Sequence, residues 1–439
     1  MIPEDDDSLT QRAPRRWWQL AMVDVKPLRR HRDYRLLYIG RFVSYFGSMV
    51  TTVAFPYQVY QLTHSVLLVG FLGVIEFGAI LVFSFVGGAL ADARDRRSLV
   101  LVSEAALMVC SLVLAVNAGL GRPQAWLLFA IAGAWGVLDA IQRPSLDAML
   151  PRLVDREELA AAAALNSIRG NIGMILGPAL GGVLIASFGL GATYIFDVGT
   201  FVVGLACLWL MHAVPPPVDA ERPSLRRAVE GLRYAWSRQE LLGTYAVDII
   251  AMFFGMPFAL FPAIAQGLGG ARVLGLLYAA PAAGFLLFSL TSGWTSHVQR
   301  HGMGVVVAAV AWGIAIIGFG LAPNLATALI FLVLAGAADM MSGLFRSVIW
   351  NQTIPDSLRG RLAGIEMISY TSGPALGNFE AGVVASIFNL RVSIVSGGVL
   401  CVVGCVLCAV ALPLFRAYDA RLYGMAPDHG RQNVKREQQ

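Results

Sequence analysis

Charged side chains inside long apolar segments are the residues of this sequence whose types and positions could do chemistry. Glu76 interrupts the run "VGFLGVIEFGAILVF", and three further charges lie inside other runs, at Arg41, Arg169 and Asp248. In a membrane, a charge of this kind costs about 3 kcal/mol when unpaired, so it marks a functional or a paired position. A carboxylate there can take up and release a proton. Glu76 is therefore a candidate proton carrier, although a fixed ionic partnership with Arg41 or Arg169 explains it equally well.

Two further acid–base pairs share a helical spacing. Asp139 and Arg143 lie four residues apart near the end of one apolar run, and Asp339 and Arg346 lie seven apart near the end of another. Both spacings place the two charges on one face of a helix. We favour structural ion pairs over a role in chemistry for both.

Aromatic residues in the apolar runs are candidates for the wall of a binding cavity. Large apolar walls with few polar groups suit a bulky amphipathic ligand, although packing in the core is the commoner fate of any one aromatic residue. The four aromatic residues that we single out are Tyr45, Phe254, Tyr278 and Tyr370.

Motifs for catalysis, metal binding and nucleotide binding are missing from the sequence. The five cysteines lie in apolar runs without histidine or carboxylate neighbours, so we interpret them as small hydrophobic residues. There is no G-x-S-x-G motif, and neither Lys26 nor Lys435 lies in a P-loop. The sequence therefore predicts a non-enzymatic protein without catalytic residues, cofactor, metal site or ATP-binding subunit.

The segments that carry these residues are membrane spans by composition. The chain of 439 residues is 57% hydrophobic and only 14% charged, with a mean hydropathy of +0.65, whereas soluble domains carry about a quarter charged residues. An all-α membrane protein with twelve transmembrane helices is predicted, because a span needs roughly 20 apolar residues. The predicted spans are 36–60, 66–91, 98–120, 124–142, 160–187, 191–213, 242–265, 271–292, 303–322, 325–345, 362–388 and 392–414.

Basic residues indicate the orientation of the chain. They crowd the stretches 26–35, 94–97, 152–156, 222–238 and 359–361, whereas the opposite loops hold only Arg122, Arg272 and Arg391. Cytoplasmic loops carry the excess of positive charge, so we expect both termini in the cytoplasm. The net charge of +5 then follows from topology and does not indicate a nucleic-acid partner.

The polar stretch between spans six and seven divides the chain into two halves. Segments 143–182 and 346–378 repeat an order of features: an arginine, a proline, a charged loop and a span containing GPALG. Duplicated halves around a central site are a common transporter design. We predict two pseudo-symmetric six-helix bundles. The predicted regions are a cytoplasmic tail at 1–35, bundles at 36–213 and 242–414, a cytoplasmic linker at 214–241 and a cytoplasmic tail at 415–439.

The loop sequence "GGALADARDRRSLV" suggests a charged latch at the inner membrane surface. We expect a turn in this loop to need Gly88, and Asp92 could pair with Arg96 or Arg97 in a contact that forms and breaks. An ordinary basic inner loop is the alternative. This stretch resembles the G-x-L-A-D-x-x-x-R-R signature of the major facilitator superfamily. The matching residues are Gly88, Leu90, Asp92, Arg96 and Arg97, with Asp95 at the usual central glycine.

"GMILGPALGG" resembles the fifth-helix signature of the same superfamily. Its matching residues are Gly173, Gly177, Pro178, Gly181 and Gly182. Glycines at i, i+4 and i+8 form one bare stripe that permits a close helix contact. We expect span eight of the other half, with Gly275, to be the partner of this stripe. By symmetry, GPALG at 373–377 should contact span two.

Longer stretches such as "RLLYIGRFVSYFGS", "VDIIAMFFGMPFALFPAIA" and "GPALGNFEAG" are similar to the enterobactin-exporter-like, drug:proton antiporter branch of that superfamily. The resemblance implies a bacterial inner-membrane exporter of a small siderophore-like or amphipathic molecule. Alternating access and proton antiport are the expected mechanism, and a monomer is expected. A broad multidrug efflux pump is the alternative; an uptake permease and a non-transporting membrane receptor are less favoured.

Overall fold

The computed structural model describes residues 24–214, 233–355 and 358–419, without the side chains of residues 85, 92, 296, 359–361, 363–368 and 370. Every regular element in these ranges is helical. The α-helices are α1 Lys26–Arg30, α2 Arg32–Thr63, α3 Val66–Ala93, α4 Arg96–Gly119, α5 Ala125–Leu153, α6 Leu159–Trp209, α7 Gln239–Phe254, α8 Phe261–Leu268, α9 Ala271–Thr291, α10 His301–Leu321, α11 Leu325–Thr353, α12 Arg359–Ile387, α13 Leu390–Ala411 and α14 Pro413–Arg416.

Nine stretches of the described residues are long and apolar enough to cross a membrane. One of them, Arg156–Trp209, contains α6, which is interrupted at Gly189, where φ is +80°. A glycine tolerates this left-handed backbone, so the chain can turn there. The two arms of α6 correspond to predicted spans five and six. α2 and α12 fall outside the nine, although both exceed the length that a span needs.

The predicted span 242–265 is two helices in the structure. α7 ends at Phe254, and the chain continues through Gly255 and Pro257 into a short 3₁₀ turn and α8. The carbonyl of Gly255 at this break accepts a hydrogen bond of 3.1 Å from the indole Nε1 of Trp312. The amide of Ala259 just beyond donates to Oδ1 of Asn378 in α12 at 2.8 Å. Side chains thus satisfy backbone groups that a continuous helix would have paired.

The glycine stripe of α6 packs against α2 of its own half. A Cβ added to Gly173 would lie 2.6 Å from Cε1 of Tyr45, and one added to Gly181 would lie 2.9 Å from the carbonyl oxygen of Val50. Gly177 faces Met49 in the same way. The prediction that this stripe faces span eight is therefore wrong, because spacing defines a face of a helix but does not name the helix that covers it.

The neighbouring row of α6 makes the contact with the second half. A Cβ on Gly182 would lie 2.5 Å from the carbonyl oxygen of Ala271 and 2.9 Å from Cα of Gly275, both in α9. A Cβ on Gly275 would in turn lie 2.6 Å from the carbonyl oxygen of Pro178. The motif thus serves two contacts at once, one within its half and one between the halves.

The second GPALG repeats this arrangement. Gly373 and Gly377 face Met252 of α7 within their own half. A Cβ on Gly382 would lie 2.8 Å from the carbonyl oxygen of Val66 in α3. The predicted contact with span two is therefore present: Ala375 of the motif lies against Gly73 of α3, and Gly382 continues the contact, whereas the two motif glycines face α7.

Candidate functional site

A cavity of about 440 Å³, here called the central cavity, lies among α2, α3 and α5 and the break after α7. Glu76 lines it together with Thr52 and Asn378. Within the described part of the chain, no ion pair or hydrogen bond to the Glu76 carboxylate is found. The predicted alternative of a fixed partnership with Arg41 or Arg169 is therefore not seen there. Aromatic side chains form much of the wall: Tyr45, Phe55, Trp135, Phe201, Phe258 and Tyr278.

A second cavity of about 460 Å³, here called the vestibule, continues from the first. Arg41, Tyr45, Asp139 and Gln142 line both cavities and thus form a neck between them. The vestibule is otherwise lined by the first turns of α2, the last turns of α5 and the start of α6, where Arg169 lies. The two cavities therefore adjoin at one polar boundary.

The charge of Arg41 at the neck is neutralised by a residue that the sequence interpretation missed. Its guanidinium donates to Oε1 of Glu104, which is fully buried in α4. Nη1 also donates to Oε1 of Gln142 at 3.3 Å, and Nε2 of Gln142 donates to Glu104 at 3.2 Å. The rule that singled out Glu76, an acid inside an apolar run, would have found Glu104 as well.

The ion pair that Arg346 forms differs from the predicted pair with Asp339. Arg346 in α11 forms its ion pair with Asp248 in α7, not with Asp339 on its own helix. Asp248 also accepts a hydrogen bond of 3.2 Å from Oγ of Ser369. The predicted pairing of Arg346 with Asp339 is therefore wrong. A buried arginine can pair with a carboxylate on a facing helix as readily as with one on its own helix. Asp339, Asp248 and Arg346 nevertheless line one cavity of about 560 Å³.

The shorter predicted pair is present but loose. Nη1 of Arg143 and Oδ2 of Asp139 are 4.0 Å apart, and both side chains are more than a third exposed. Such pairs contribute under about 1 kcal/mol. This geometry agrees with a minor structural role rather than chemistry.

The predicted cavity aromatics are divided by the structure. Tyr45 and Tyr278 line the central cavity, and the hydroxyl of Tyr278 donates to the carbonyl oxygen of Phe258 at 3.1 Å. Phe254 does not line the central cavity. It packs against the core instead, with its ring centroid 4.9 Å from that of Phe253. The side chain of Tyr370 lies outside the described residues.

The loop predicted to hold a latch turns at Arg94 and Asp95. Gly88 lies inside α3, and a Cβ there would meet nothing within 4 Å, so the turn does not require it. Leu90 also lies inside α3, and its carbonyl accepts from the amide of Arg94 at 2.9 Å. The side chain of Asp92 is outside the described set, so its pairing stays a prediction.

The two arginines of the latch motif bind helix-terminal carbonyls. Arg97 donates from Nε to the carbonyl oxygen of Leu208 at 2.7 Å and from Nη2 to that of Trp209 at 2.6 Å, at the end of α6. Arg96 donates from Nε to the carbonyl oxygen of Ala91 at 3.4 Å, near the end of α3, and from Nη1 to that of Ala148 within α5 at 3.1 Å. A cation at helix C-terminal carbonyls is favourable. The motif thus ties three helices together at this end.

Asp95 occupies the position at which the signature usually has glycine. Its Oδ2 accepts from the amide of Ser98 at 3.0 Å and caps α4, while Oδ1 accepts from the amide of Val214 at 2.7 Å. Partial burial acts to raise the pKa of this carboxyl, but the hydrogen bonds from Ser98, Val214 and Arg97 outweigh it, so its pKa lies below the ordinary value. A tight glycine turn is replaced by a cap that also holds the end of α6.

Comparison with known proteins places the chain in a family. Residues 23–435 match the family described as Transmembrane secretion effector, which is part of the major facilitator superfamily. The chain belongs to this family. As in that superfamily generally, it is a non-enzymatic, multi-pass inner-membrane transporter of small molecules that needs no ATP-binding subunit.

Curated relatives in this family cover nearly the whole chain. The enterobactin exporter EntS of Citrobacter koseri is 30% identical over 393 residues, which is 89% of this chain and 94% of that protein. The enterobactin exporter EntS of Shigella boydii is 29% identical over 91% of this chain and 96% of that protein.

Solved structures share the fold at low identity. A POT family transporter in complex with 5-aminolevulinic acid aligns with a TM-score of 0.69 at 11% identity, over 88% of this chain and 97% of that one. A bacterial homologue of the human lysosomal transporter Spinster, described as inward-facing and unoccupied, aligns at 0.66 with 16% identity, over 90% of this chain and 98% of that one.

Proposed function

We propose that this transporter exports a siderophore-like small organic molecule across the bacterial inner membrane by alternating access, coupled to inward proton flow. The observation that carries the proposal is the pair of adjoining cavities, the vestibule and the aromatic central cavity, in a chain 30% identical over most of its length to an enterobactin exporter. A large aromatic cavity suits a bulky amphipathic ligand.

The proposed architecture has twelve transmembrane helices in two six-helix bundles, at 36–213 and 242–414. Both termini and the linker 214–241 are cytoplasmic in this proposal, and the transporter works as a monomer. Two rows of small residues support a division into halves, because each row permits a close contact of one half with the other, at Gly182 with Gly275 and at Gly382 with Val66.

The proposed conformation is open to the cytoplasm. The contacts of Gly182 with Ala271 and of Gly382 with Val66 lie at helix ends that the basic residues assign to the outer side. The vestibule is lined instead by the ends of α2, α5 and α6 that belong to the inner side. Rocking of the halves about the central cavity would then expose it alternately, and Arg96 and Arg97 lie where an inner gate would close.

Glu76 is the proposed proton carrier. It lies on the wall of the central cavity, and no fixed ionic partner for it is found among the described residues. A protonated Glu76 would carry no charge through the transition between the two conformations, whereas an ionised one would have to be desolvated. Asp339 lines the cavity of the second half and is the second carboxylate in a position to contribute.

Metabolite profiling of a strain that lacks this gene tests the proposal. Grown under iron limitation, the deletion strain should retain an iron-chelating metabolite inside the cells and secrete less of it, and the wild-type gene should restore secretion. Normal secretion by the deletion strain, together with resistance to several unrelated drugs on overexpression, would identify the multidrug pump instead. Loss of uptake of an external solute would identify a permease and refute export.

A further inference from the structure

Arg169 differs from the other arginines that line the cavities of this structure. Arg41 is paired with Glu104, Arg346 with Asp248 and Arg143 with Asp139. For Arg169, no carboxylate lies within 4 Å in the described part of the chain, and this distinguishes it from the other three. Its Nε is buried without a hydrogen-bond partner, as are those of Arg41 and Arg346.

The surroundings of Arg169 hold it in place without neutralising it. Its guanidinium lies 5.7 Å from the ring centroid of Tyr45, within the range of a cation–π contact. The hydroxyls of Tyr34 and Tyr38 donate to the carbonyl oxygens of Ala162 and Leu165, at 3.2 Å each, and so fix both rings against the first turns of α6. The contact with Tyr45 orients the arginine but supplies no negative charge.

Arg169 is the vestibule cation for which no ion pair is found in the described part of the chain, and the carboxylate of Asp147 lines the same cavity. Asp139, Asp147 and Arg143 line this cavity as well as Arg169 and Arg41. Arg41 is neutralised by Glu104 at the neck, and Asp139 lies beside Arg143. A guanidinium with five donors in a planar fork matches a carboxylate or another oxyanion with two parallel hydrogen bonds.

We propose that Arg169 binds the anionic group of the transported molecule in the vestibule, while the apolar part of that molecule passes the neck into the aromatic central cavity. The ligand class is therefore an anionic amphipath, an oxyanion attached to an aromatic or apolar body. The two parts of the site adjoin through Arg41, Tyr45, Asp139 and Gln142. This inference deepens the proposed function by naming the chemistry of the substrate and the residue that recognises it.

Equilibrium dialysis with the purified full-length protein tests the inference without transport or a gradient. The probes are radiolabelled salicylate, an anionic aromatic, and salicylamide, its neutral counterpart. The wild type should prefer salicylate by about tenfold, and Arg169→Gln should lose this preference because a charge-assisted fork is removed. Arg169→Lys should retain part of it. Arg143→Gln is the matched control, since Arg143 lines the same cavity beside a carboxylate, and should change affinity by less than about threefold.

Three results would overturn the inference. The first is an unchanged preference in Arg169→Gln whose thermal unfolding matches that of the wild type. The second is an equal loss in Arg143→Gln, which would indicate the overall charge of the cavity. The third is the loss of salicylate binding in nanodiscs that contain phosphatidylglycerol but not in those of pure phosphatidylcholine, which would assign Arg169 to a lipid headgroup.

The dialysis experiment is also independent of the export assay. Arg169-dependent binding of salicylate in a protein whose deletion leaves metabolite secretion normal would refute the proposed function and leave the anion site standing. Confirmed export with no preference for the anionic probe would refute the anion site at Arg169 and leave the proposed function standing.

Discussion

Gly182 of α6 and Gly275 of α9 face each other, with Cα of Gly275 2.9 Å from the position that a Cβ on Gly182 would take. A contact this close is possible only between residues without side chains. The cost of glycine in a helix, about 1 kcal/mol relative to alanine, is thus offset by close packing of two helices.

Substitution of Gly182 by alanine should therefore disturb the contact between the halves. We expect lower thermal stability in detergent and slower export, because the new methyl group would press on the backbone of α9. Gly170 on the same helix is the matched control, since a Cβ there meets nothing within 4 Å. Gly170→Ala should leave export unchanged and stabilise the helix by up to about 1 kcal/mol. Equal effects of the two substitutions would contradict the assigned contact.

How far the sequence predicts this structure depends on the kind of feature. Hydropathy locates helices well, because burial in lipid requires long apolar runs. Each of the twelve predicted segments lies mostly on helix, although 242–265 is interrupted after Phe254 and 191–213 runs past the helix end at Trp209. Contacts between segments are harder. The row Gly173, Gly177, Gly181 is visible from spacing, but its partner α2 is not.

The partners of buried charges are also hard to predict from the sequence. Asp248 and Arg346 lie far apart in the chain, and only the packing of α7 against α11 brings them together. Arg41 is likewise recognisable as a buried cation from its apolar neighbours, whereas its pairing with Glu104 depends on how α2 meets α4. Local rules detect a charge that needs a partner, but tertiary packing chooses which one.

The Asp248–Arg346 pair gives a test of this choice. Arg346→Gln should reduce the free energy of unfolding by about 3 kcal/mol or more, because it leaves the buried Asp248 carboxylate without its cation. The double variant Asp248→Asn, Arg346→Gln should recover part of the loss. Unfolding of the purified protein, followed by intrinsic fluorescence, measures both.

Asp139→Asn is the matched control for that pair. Its partner Arg143 is 4.0 Å away and both side chains are partly exposed, so the loss should stay below about 1 kcal/mol. If Asp139→Asn reduced the free energy of unfolding as much as Arg346→Gln does, the buried pair would contribute no more to stability than the exposed one.

The hydrogen bonds of Asp95 predict that the stability of the loop between α3 and α4 depends on pH. Because hydrogen bonds hold its pKa below the ordinary value of 3.8, the ionised form stabilises the fold above that value, and this stabilisation is lost as the pH falls through the lower folded-state pKa. Asp95→Ala should lower the melting temperature at about pH 7, and the difference from wild type should shrink towards about pH 3.

The control for Asp95 is a cap without charge. Asn324 accepts from the amide of Thr327 at 3.0 Å and caps α11. Asn324→Ala should lower stability by about 1 kcal/mol through loss of the cap, with a difference from wild type that does not depend on pH. An Asp95→Ala effect that is equally independent of pH would show that the carboxylate charge contributes nothing.

Glu76→Gln tests proton coupling directly. Glutamine keeps the size and polarity of the side chain but carries no titratable proton, so export driven by a pH gradient should be abolished while the protein still reaches the membrane. Export driven by an imposed pH gradient is measured in right-side-out and in inverted vesicles. Equilibrium dialysis of a bound ligand shows whether the cavity is intact. Asp339→Asn is the companion variant, because Asp339 lines the cavity of the second half. Gradient-driven export that survives in Glu76→Gln but fails in Asp339→Asn would move the coupling role to the second half of the transporter.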